Sequence, residues 1–431
     1  MIEQNMNTVP LLMSKEVLGK LSAINVALLC FAFPITSVVP LFLNIDSFLF
    51  NYLLRVMYLL LSTYLLVGAF HHRATRKLSL GAWFLIIFWM IYSLRIFYDV
   101  HVQGVIFRDD LLKLYGFAFG NCLIGALATL ATIRFASPGY LKRVIIGMIS
   151  IGCVGILAGV VFQYQTLNPV DFLGRARFTI DNGTERGQDV LNPITISLTG
   201  QLMVVVNAYR GLLDKPSVKR FLWSSVGVVI GGLVLVLGGS RGPFLGTAIS
   251  LLLIVGISVY NARKTTLNLL KIFFLIGGSC AGLFYYLYSH LENSNLLVLK
   301  RLQSLNEGGG KEVRSYQWES AIEQFTSSPI LGDRYLERAF NFYPHNVYLE
   351  ALMATGLVGS FWFFGMLGLL LWGFYNDVRT NSHRILYGII LFAILLSVFT
   401  SGSLFQSVIL WGGLGLYFGL SRSRVSSCAA E

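Results

Sequence analysis

The sequence has few charged residues and few cysteines. Only 13% of its 431 residues are Asp, Glu, Lys or Arg, whereas 55% are hydrophobic. This composition excludes an ordinary soluble domain and indicates a polytopic α-helical membrane protein. The five cysteines lie in apolar runs or in the C-terminal tail, so we expect no disulfide in an exported loop.

Several signatures of soluble enzymes are also missing. The chain has no Walker loop, no dinucleotide-binding fingerprint, no internal repeat and no coiled coil, and we expect no cofactor. Its net charge of +12 fits a membrane topology signal with attraction to anionic membrane lipids, so nucleic-acid binding is not expected. The N-terminus is polar and the first apolar run ends in no small-residue cleavage pattern, so we expect an ordinary first span.

Long apolar runs predict an all-α protein with about 12 transmembrane helices in one membrane domain, residues 1–431. The predicted spans centre near residues 30, 58, 88, 123, 152, 199, 230, 252, 280, 361, 392 and 412. One set of loops holds 19 of the 33 Lys and Arg residues, which predicts that both termini are cytoplasmic. Three longer loops, 99–111, 165–190 and 291–345, are then exported, and the last is large enough for a small subdomain between spans nine and ten.

Arginine dominates the basic residues on the predicted exported side. Its rigid fork of donors matches phosphate oxygens in pairs, so the cluster suits a phosphorylated or pyrophosphorylated ligand, although solvated loop charge is the alternative. The nine exported arginines are Arg108, Arg175, Arg177, Arg186, Arg241, Arg301, Arg314, Arg334 and Arg338.

Arg241 lies in "LVLGGSRGPFLG", a very short connection between two apolar spans. The surrounding glycines permit a sharp turn, and Pro243 suits the first turn of the next helix, whose free N–H groups favour an anion. An arginine that reaches to lipid headgroups is the alternative. Arg314 opens a helix-like run that Pro329 and Gly332 end, and it precedes Trp318 by four residues, so a structural cation–π contact is its alternative role.

The stretch "FYPHNVYLEALMATGLVG" places a histidine at the start of an apolar helix. Asn346 is the predicted N-cap, which holds His345 at the exported membrane edge, where it can accept a proton or donate to a phosphate oxygen. Gly356 and Gly359 share one helical face and permit close approach of a helix or ligand. A satisfied interfacial side chain is the alternative for a lone histidine.

Three motifs in fixed order resemble the O-antigen ligase and polymerase superfamily. They are "SRGPFL" around Arg241, "RSYQWESAIEQFTSSPILG" from Arg314, and "HNVYLEALMATGLVG" from His345. The resemblance spans roughly residues 171–420, including "GRARF" in the 165–190 loop. Arg334 stands where members often have a second glycine, which leaves the shape of that turn open.

The resemblance implies a metal-independent, inverting glycosyltransferase with a membrane fold of the GT-C type, acting at the periplasmic face of a bacterial inner membrane. Its donor would be a glycan on undecaprenyl pyrophosphate. The acceptor would be lipid A–core in a ligase, or another lipid-linked glycan in a polymerase. By motif position, Arg241 and Arg314 would bind the donor pyrophosphate and His345 would lie at the reacting centre.

Other candidate donor or glycan contacts are Arg175, Arg177, Asn346 and Trp318, although Trp318 also suits the interfacial aromatic belt. No Asp-x-Asp pair or metal-ligand spacing occurs on the exported side, so no metal site is expected. His345 is a candidate base or a phosphate ligand, and the sequence leaves both roles open. Between ligase and polymerase we favour a ligase.

A secondary transporter or flippase is the alternative from another class, because twelve spans are common among such proteins. Transporters usually carry ionisable residues at mid-membrane. Here the 21 acidic residues lie outside the apolar centres of the spans. The two basic residues within spans, Arg55 and Arg95, have no obvious acidic partner. An enzyme therefore explains the pattern better.

Overall fold

A computed structural model describes residues 14–72, 78–165, 191–214, 217–261, 269–271, 277 and 313–420. Within these ranges the protein forms helices and no β-strand, which confirms the all-α class. The principal helices are α1 (Lys15–Phe31), α2 (Phe33–Leu43), α3 (Ser47–His71), α4 (Leu80–His101), α5 (Leu111–Phe135), α6 (Pro138–Tyr164), α7 (Pro193–Leu212), α8 (Val218–Gly238), α9 (Arg241–Tyr260), α10 (Val313–Ser327), α11 (Val347–Arg379), α12 (Ile385–Ser401) and α13 (Val408–Leu420).

Seven of the described helices are long and apolar enough to cross a membrane, namely α3 to α6, α8, α9 and α11. Helices α1 and α2 are bent by 73° at their junction and form an eighth candidate as one broken span. Helices α12 and α13 are apolar but shorter, and the span expected near residue 280 lies outside the described residues. A multi-pass membrane protein is therefore confirmed, whereas the number of twelve spans stays a prediction.

The chain divides into two compact units. The first consists of Met1–Phe33, Asn51–Met148 and Lys311–Glu431, and the second of Pro34–Phe50 and Ile149–Gly310. The predicted exported subdomain, residues 291–345, is described only from Val313 onwards, as helix α10 and an irregular segment. Its existence as a separate subdomain stays a prediction.

In the first unit, α4 lies against α11 through a buried aromatic core. The ring of Phe88 is 5.1 Å from that of Phe363 and 5.7 Å from that of Trp411, centroid to centroid. Trp89 contacts the same indole at 4.9 Å. Large rings bury much apolar area and prefer tilted or offset contacts, so this cluster fixes the middle of α11 and the start of α13 against α4.

In the second unit, α7 and α8 cross at glycines. A Cβ atom on Gly200 would lie 2.8 Å from the Cα of Leu235, and one on Gly231 would lie 2.8 Å from the backbone nitrogen of Val204. Small residues let helix backbones approach closely where lipid supplies no hydrophobic drive for association. This crossing positions the C-terminal end of α8, and with it the connection that carries Arg241.

Candidate active site

Helix α11 is interrupted at Gly356, whose φ of 57° and ψ of −160° are not helical. The break leaves backbone N–H groups without helical partners inside an apolar element. The turn after α10 supplies acceptors: the N–H of Leu357 donates to the carbonyl of Pro329 at 2.8 Å, and that of Val358 to the carbonyl of Ile330 at 3.2 Å. The carbonyl groups of Pro329 and Ile330 therefore accept the hydrogen bonds that residues of α11 itself would accept in an unbroken helix.

Gly332, in the turn after α10, also lies directly against the backbone of α11. Its φ is 75°, and a Cβ atom there would lie 2.5 Å from the carbonyl carbon of Ala354. The next residue, Asp333, donates its N–H to the carbonyl of Met353 at 2.9 Å. The sequence predicted that Gly356 and Gly359 share one helical face, but the helix breaks at Gly356, and the turn makes the close approach there. The turn forms although Arg334 replaces the second glycine.

Arg95 of α4 holds the same turn, and the expectation that it lacks an acidic partner is wrong. Its Nη1 lies 3.4 Å from the Oδ1 of Asp99. The guanidinium donates to three successive carbonyl oxygens, those of Leu331 at 2.9 Å, Gly332 at 3.1 Å and Asp333 at 2.6 Å. Charge-assisted hydrogen bonds are stronger than neutral ones, so Arg95 anchors the turn to α4.

Asp99 extends this anchor to the segment after the turn. Its Oδ2 accepts a hydrogen bond from the backbone N–H of Tyr335 at 2.8 Å. The Tyr335 hydroxyl donates to the carbonyl of Val105 at 3.2 Å and accepts from the N–H of Phe107 at 3.0 Å. Burial raises the pKa of this hydroxyl, which keeps its proton in place for donation. These hydrogen bonds hold the connection between α4 and α5 against the segment that follows the turn.

His345 lies in the left-handed region, with φ of 56°, directly before α11. Residues with a Cβ atom seldom adopt this conformation, although histidine does so more often than most, and such positions are frequent at functional sites. Its ring contacts Tyr343 at 4.6 Å and Phe342 at 5.5 Å between centroids. The Nδ1 atom is buried and has no hydrogen-bond partner in the described part of the chain. A buried nitrogen of this kind keeps a hydrogen-bonding capacity that the described part of the chain does not use.

Two neighbours fix the backbone around His345. The indole N–H of Trp318 donates to the carbonyl of Pro344 at 2.9 Å. Asn346 is the N-cap of α11, as predicted, because its Oδ1 accepts from the N–H groups of Tyr348 at 3.0 Å and Leu349 at 3.2 Å. These polar atoms are engaged within the protein, and the substrate-binding roles expected for Trp318 and Asn346 stay predictions.

Arg314 lies in the first turn of α10 and donates from Nη1 to the carbonyl of Thr400 in α12 at 2.9 Å. Burial, and then the positive charge of Arg314, lower the pKa of His345 to about 4. The structure therefore brings these two predicted site residues together, and it keeps the imidazole neutral near pH 7. A neutral ring can accept a proton, which a charged one cannot.

Arg241 belongs to the second unit. Helix α8 ends at Gly238 and is followed by Gly239 in the left-handed conformation, and the N–H of Ser240 donates to the Oγ of Ser197 at 3.1 Å. Arg241 then starts α9 with an exposed side chain, and Pro243 lies buried in the first turn, as predicted. The other candidate donor contacts, Arg175 and Arg177, lie outside the described residues.

Sequence reasoning missed the importance of Glu350, one turn into α11. Its side chain is 0% exposed and accepts hydrogen bonds from the hydroxyl of Tyr92 at 2.7 Å, the N–H of Leu404 at 2.9 Å and the hydroxyl of Ser403 at 3.4 Å. It joins α4, α11 and the turn after α12. The available signal was an acidic residue inside an otherwise apolar helix, four positions after the N-cap.

Among the described residues, no three His, Cys, Asp or Glu side chains lie close enough together to hold a metal ion. No curated protein matches the chain. Residues 226–364 match the family model described as O-antigen ligase. The matched segment contains Arg241, Arg314 and His345, together with the turn that enters the break at Gly356. This match supports the O-antigen ligase and polymerase superfamily, whose members are membrane glycosyltransferase-like enzymes acting on lipid-linked glycans.

Proposed function

We propose that the protein is an O-antigen ligase-type glycosyltransferase. It moves a glycan from undecaprenyl pyrophosphate to lipid A–core at the periplasmic face of the inner membrane. The observation that carries the proposal is that Nδ1 of His345 has no hydrogen-bond partner among the described residues and lies near the charge of Arg314, within the segment that matches the O-antigen ligase model. This pair combines a proton acceptor with a fixed positive charge, which glycan transfer from a pyrophosphate requires.

In the proposed step, an acceptor hydroxyl oxygen attacks the anomeric carbon as the bond from that carbon to the pyrophosphate oxygen breaks. The hydroxyl proton passes to Nδ1 of His345, in the tautomer with hydrogen on Nε2. The leaving pyrophosphate keeps the bonding electrons and stays on the undecaprenyl chain. His345 then returns its proton to solvent or to the leaving group. A single displacement of this kind inverts the anomeric configuration.

Arg314 stabilises the negative charge that develops on the leaving pyrophosphate. Its hydrogen bond to Thr400 holds the guanidinium in place before the reaction, so little reorganisation is needed. The bound anion offsets the Arg314 charge and raises the pKa of His345 towards the range of useful general bases. Arg241 is proposed as a further pyrophosphate ligand on the family motif alone.

Complementation of a strain that lacks this protein tests the proposal. We expect the wild-type chain to restore long glycan on lipid A–core, and the His345→Ala and Arg314→Ala variants to leave that glycan on the carrier. Purified variants should lose about 10²–10⁴-fold in rate for His345 and about 10²–10³-fold for Arg314. Arg379→Ala is the matched control, because this exposed arginine lies at the far end of α11.

The same gels separate the alternatives, provided that blots show equal amounts of each variant in the membrane. If the deletion strain carries single repeat units on lipid A–core, the protein is a polymerase. If the deletion changes neither the lipopolysaccharide nor the carrier-linked pool, the proposed glycan transfer is wrong. If both alanine variants restore wild-type banding, His345 and Arg314 are not the site.

A further inference from the structure

Arg108 is held on a short connection between α4 and α5 whose neighbours are anchored. The ring of Phe107 is buried, at 2% exposure, and packs 5.3 Å from Phe342 and 5.2 Å from Phe405. On the other side, Asp110 caps α5 by accepting from the N–H of Lys113 at 2.8 Å. The position of the Arg108 backbone is therefore fixed from both directions.

Arg108 has φ of 52° and ψ of 28°, the left-handed conformation that residues with a Cβ atom rarely adopt. Asn, Asp or Gly would fit this backbone with less strain. An arginine at such a position suggests that its guanidinium, rather than its backbone preference, is what the site uses.

The side chain is exposed, yet it has a defined direction. Its Cζ lies 5.4 Å from the ring centroids of both Phe107 and Phe342. Within the described residues the guanidinium makes no hydrogen bond and no ion pair, so its five N–H donors remain open. A guanidinium stacked on aromatic rings loses little freedom when it binds an anion through its edge.

The aromatic contacts of Arg108 extend through Phe342 to His345, the proposed base. Phe342 stacks on Tyr343 at 4.3 Å, and both rings contact His345. Burial raises the pKa of the Tyr343 hydroxyl to about 12, and the positive charges of Arg108 and Arg314 oppose that increase. Two guanidinium charges therefore act on one hydroxyl beside His345.

We propose that Arg108, supported by Phe107 and Phe342, is a phosphate-binding residue of the active site. It binds a phosphate group of a substrate next to the Tyr343 and His345 rings. The inference rests on the proposed function, because the chemistry there supplies two such groups: the donor pyrophosphate and a phosphate on the acceptor lipid. Guanidinium edges bind either one in the same way.

Binding of inorganic pyrophosphate to the purified full-length protein tests the assignment without any transfer reaction. Arg108→Asn removes the guanidinium but tolerates the left-handed backbone, so the loop should keep its shape. We expect its Kd for pyrophosphate to rise about tenfold, which corresponds to about 1.4 kcal/mol. Lys113→Ala is the matched control, since it removes a nearby positive charge without touching the aromatic rings, and it should change Kd less than about twofold. An equal effect of both substitutions would overturn the proposal.

Steady-state transfer kinetics then identify the source of the phosphate. A higher KM for the donor alone assigns the donor pyrophosphate, and a higher KM for the acceptor alone assigns an acceptor phosphate. If the wild-type protein binds pyrophosphate through Arg108 but transfers no glycan, the phosphate site stands and the proposed function fails. If it transfers glycan while Arg108→Asn keeps wild-type Kd and KM values, the phosphate site fails and the proposed function stands.

Discussion

Gly332 and Gly356 meet so closely that neither position has room for a side chain. A Cβ atom on Gly356 would lie 2.5 Å from the backbone nitrogen of Gly332, and both residues have positive φ. Contacts under about 3 Å force the backbone to move. The turn after α10 and the break in α11 are therefore one structural unit, and the candidate site lies beside it.

We predict that Gly356→Ala destabilises the protein by about 2 kcal/mol or more, because the left-handed backbone and the contact with the turn both disfavour a methyl group. Thermal unfolding of detergent-solubilised protein measures the effect. Gly368→Ala is the control within the same helix, since no atom lies within 4 Å of a Cβ there, and it should be neutral or slightly stabilising. Equal melting temperatures for the two variants would contradict this account of the break.

Arg95→Ala should lower both stability and activity. The substitution removes the donors for three consecutive carbonyl oxygens of the turn and the ion pair with Asp99, a loss of about 3 kcal/mol. Arg95→Lys keeps the charge but not the planar fork, and we expect intermediate behaviour. Melting temperature and glycan transfer are measured together, with Arg379→Ala as control. A stable, fully active Arg95→Ala protein would show that the turn does not depend on α4.

Glu350→Ala leaves the hydroxyl of Tyr92 and the N–H of Leu404 buried without their acceptor. Each unsatisfied donor costs about 1–3 kcal/mol, so this variant should be strongly destabilised. Glu350→Gln retains one carbonyl oxygen and should lose less. Phe405 lies in the turn after α12, and its ring centroid is 6.0 Å from that of Tyr343, which contacts His345. Movement of that turn should therefore also disturb the aromatic contacts of His345. The prediction is wrong if the alanine variant melts at the wild-type temperature.

The pH dependence of kcat/KM should follow the lowered pKa of His345. Since kcat/KM reports the free enzyme, its acid limb is expected near pH 4 rather than near the ordinary histidine value of about 6.5. Substrate and enzyme stability must be checked at each pH, because other groups titrate in acid. A midpoint near 6.5 would indicate that the His345 ring is more solvated than the structure places it.

The pH dependence of protein stability should also reflect the lowered pKa of His345. The folded state disfavours the protonated imidazole, so the contribution of this group to the free energy of unfolding is fully present above about pH 6.5. It is lost as the pH falls towards 4. Across this window, the melting temperature of wild type should fall relative to that of His345→Gln as the pH falls. Parallel curves would rule out a buried neutral histidine.

Local patterns predicted a large part of the site. Asn346 as the N-cap of α11, and the helix from Arg314 that ends before Pro329, depend on neighbours within a few residues. The all-α membrane class follows from long apolar runs, because hydrocarbon leaves the backbone little choice other than helices. Such features depend on the order of nearby residues, and the sequence states that order directly.

Local sequence patterns were therefore sufficient to predict a multi-pass helical protein with an arginine and a histidine at the starts of two helices. The contacts of the site residues depend on packing between distant parts of the chain. Arg95 binds carbonyl oxygens 236 to 238 positions away, and Glu350 accepts from Tyr92, which is 258 positions away. Neither backbone carbonyls nor buried hydroxyls leave a periodic signal in the chain. Only packing brings them within hydrogen-bonding distance, and the same packing removes water from His345 and lowers its pKa.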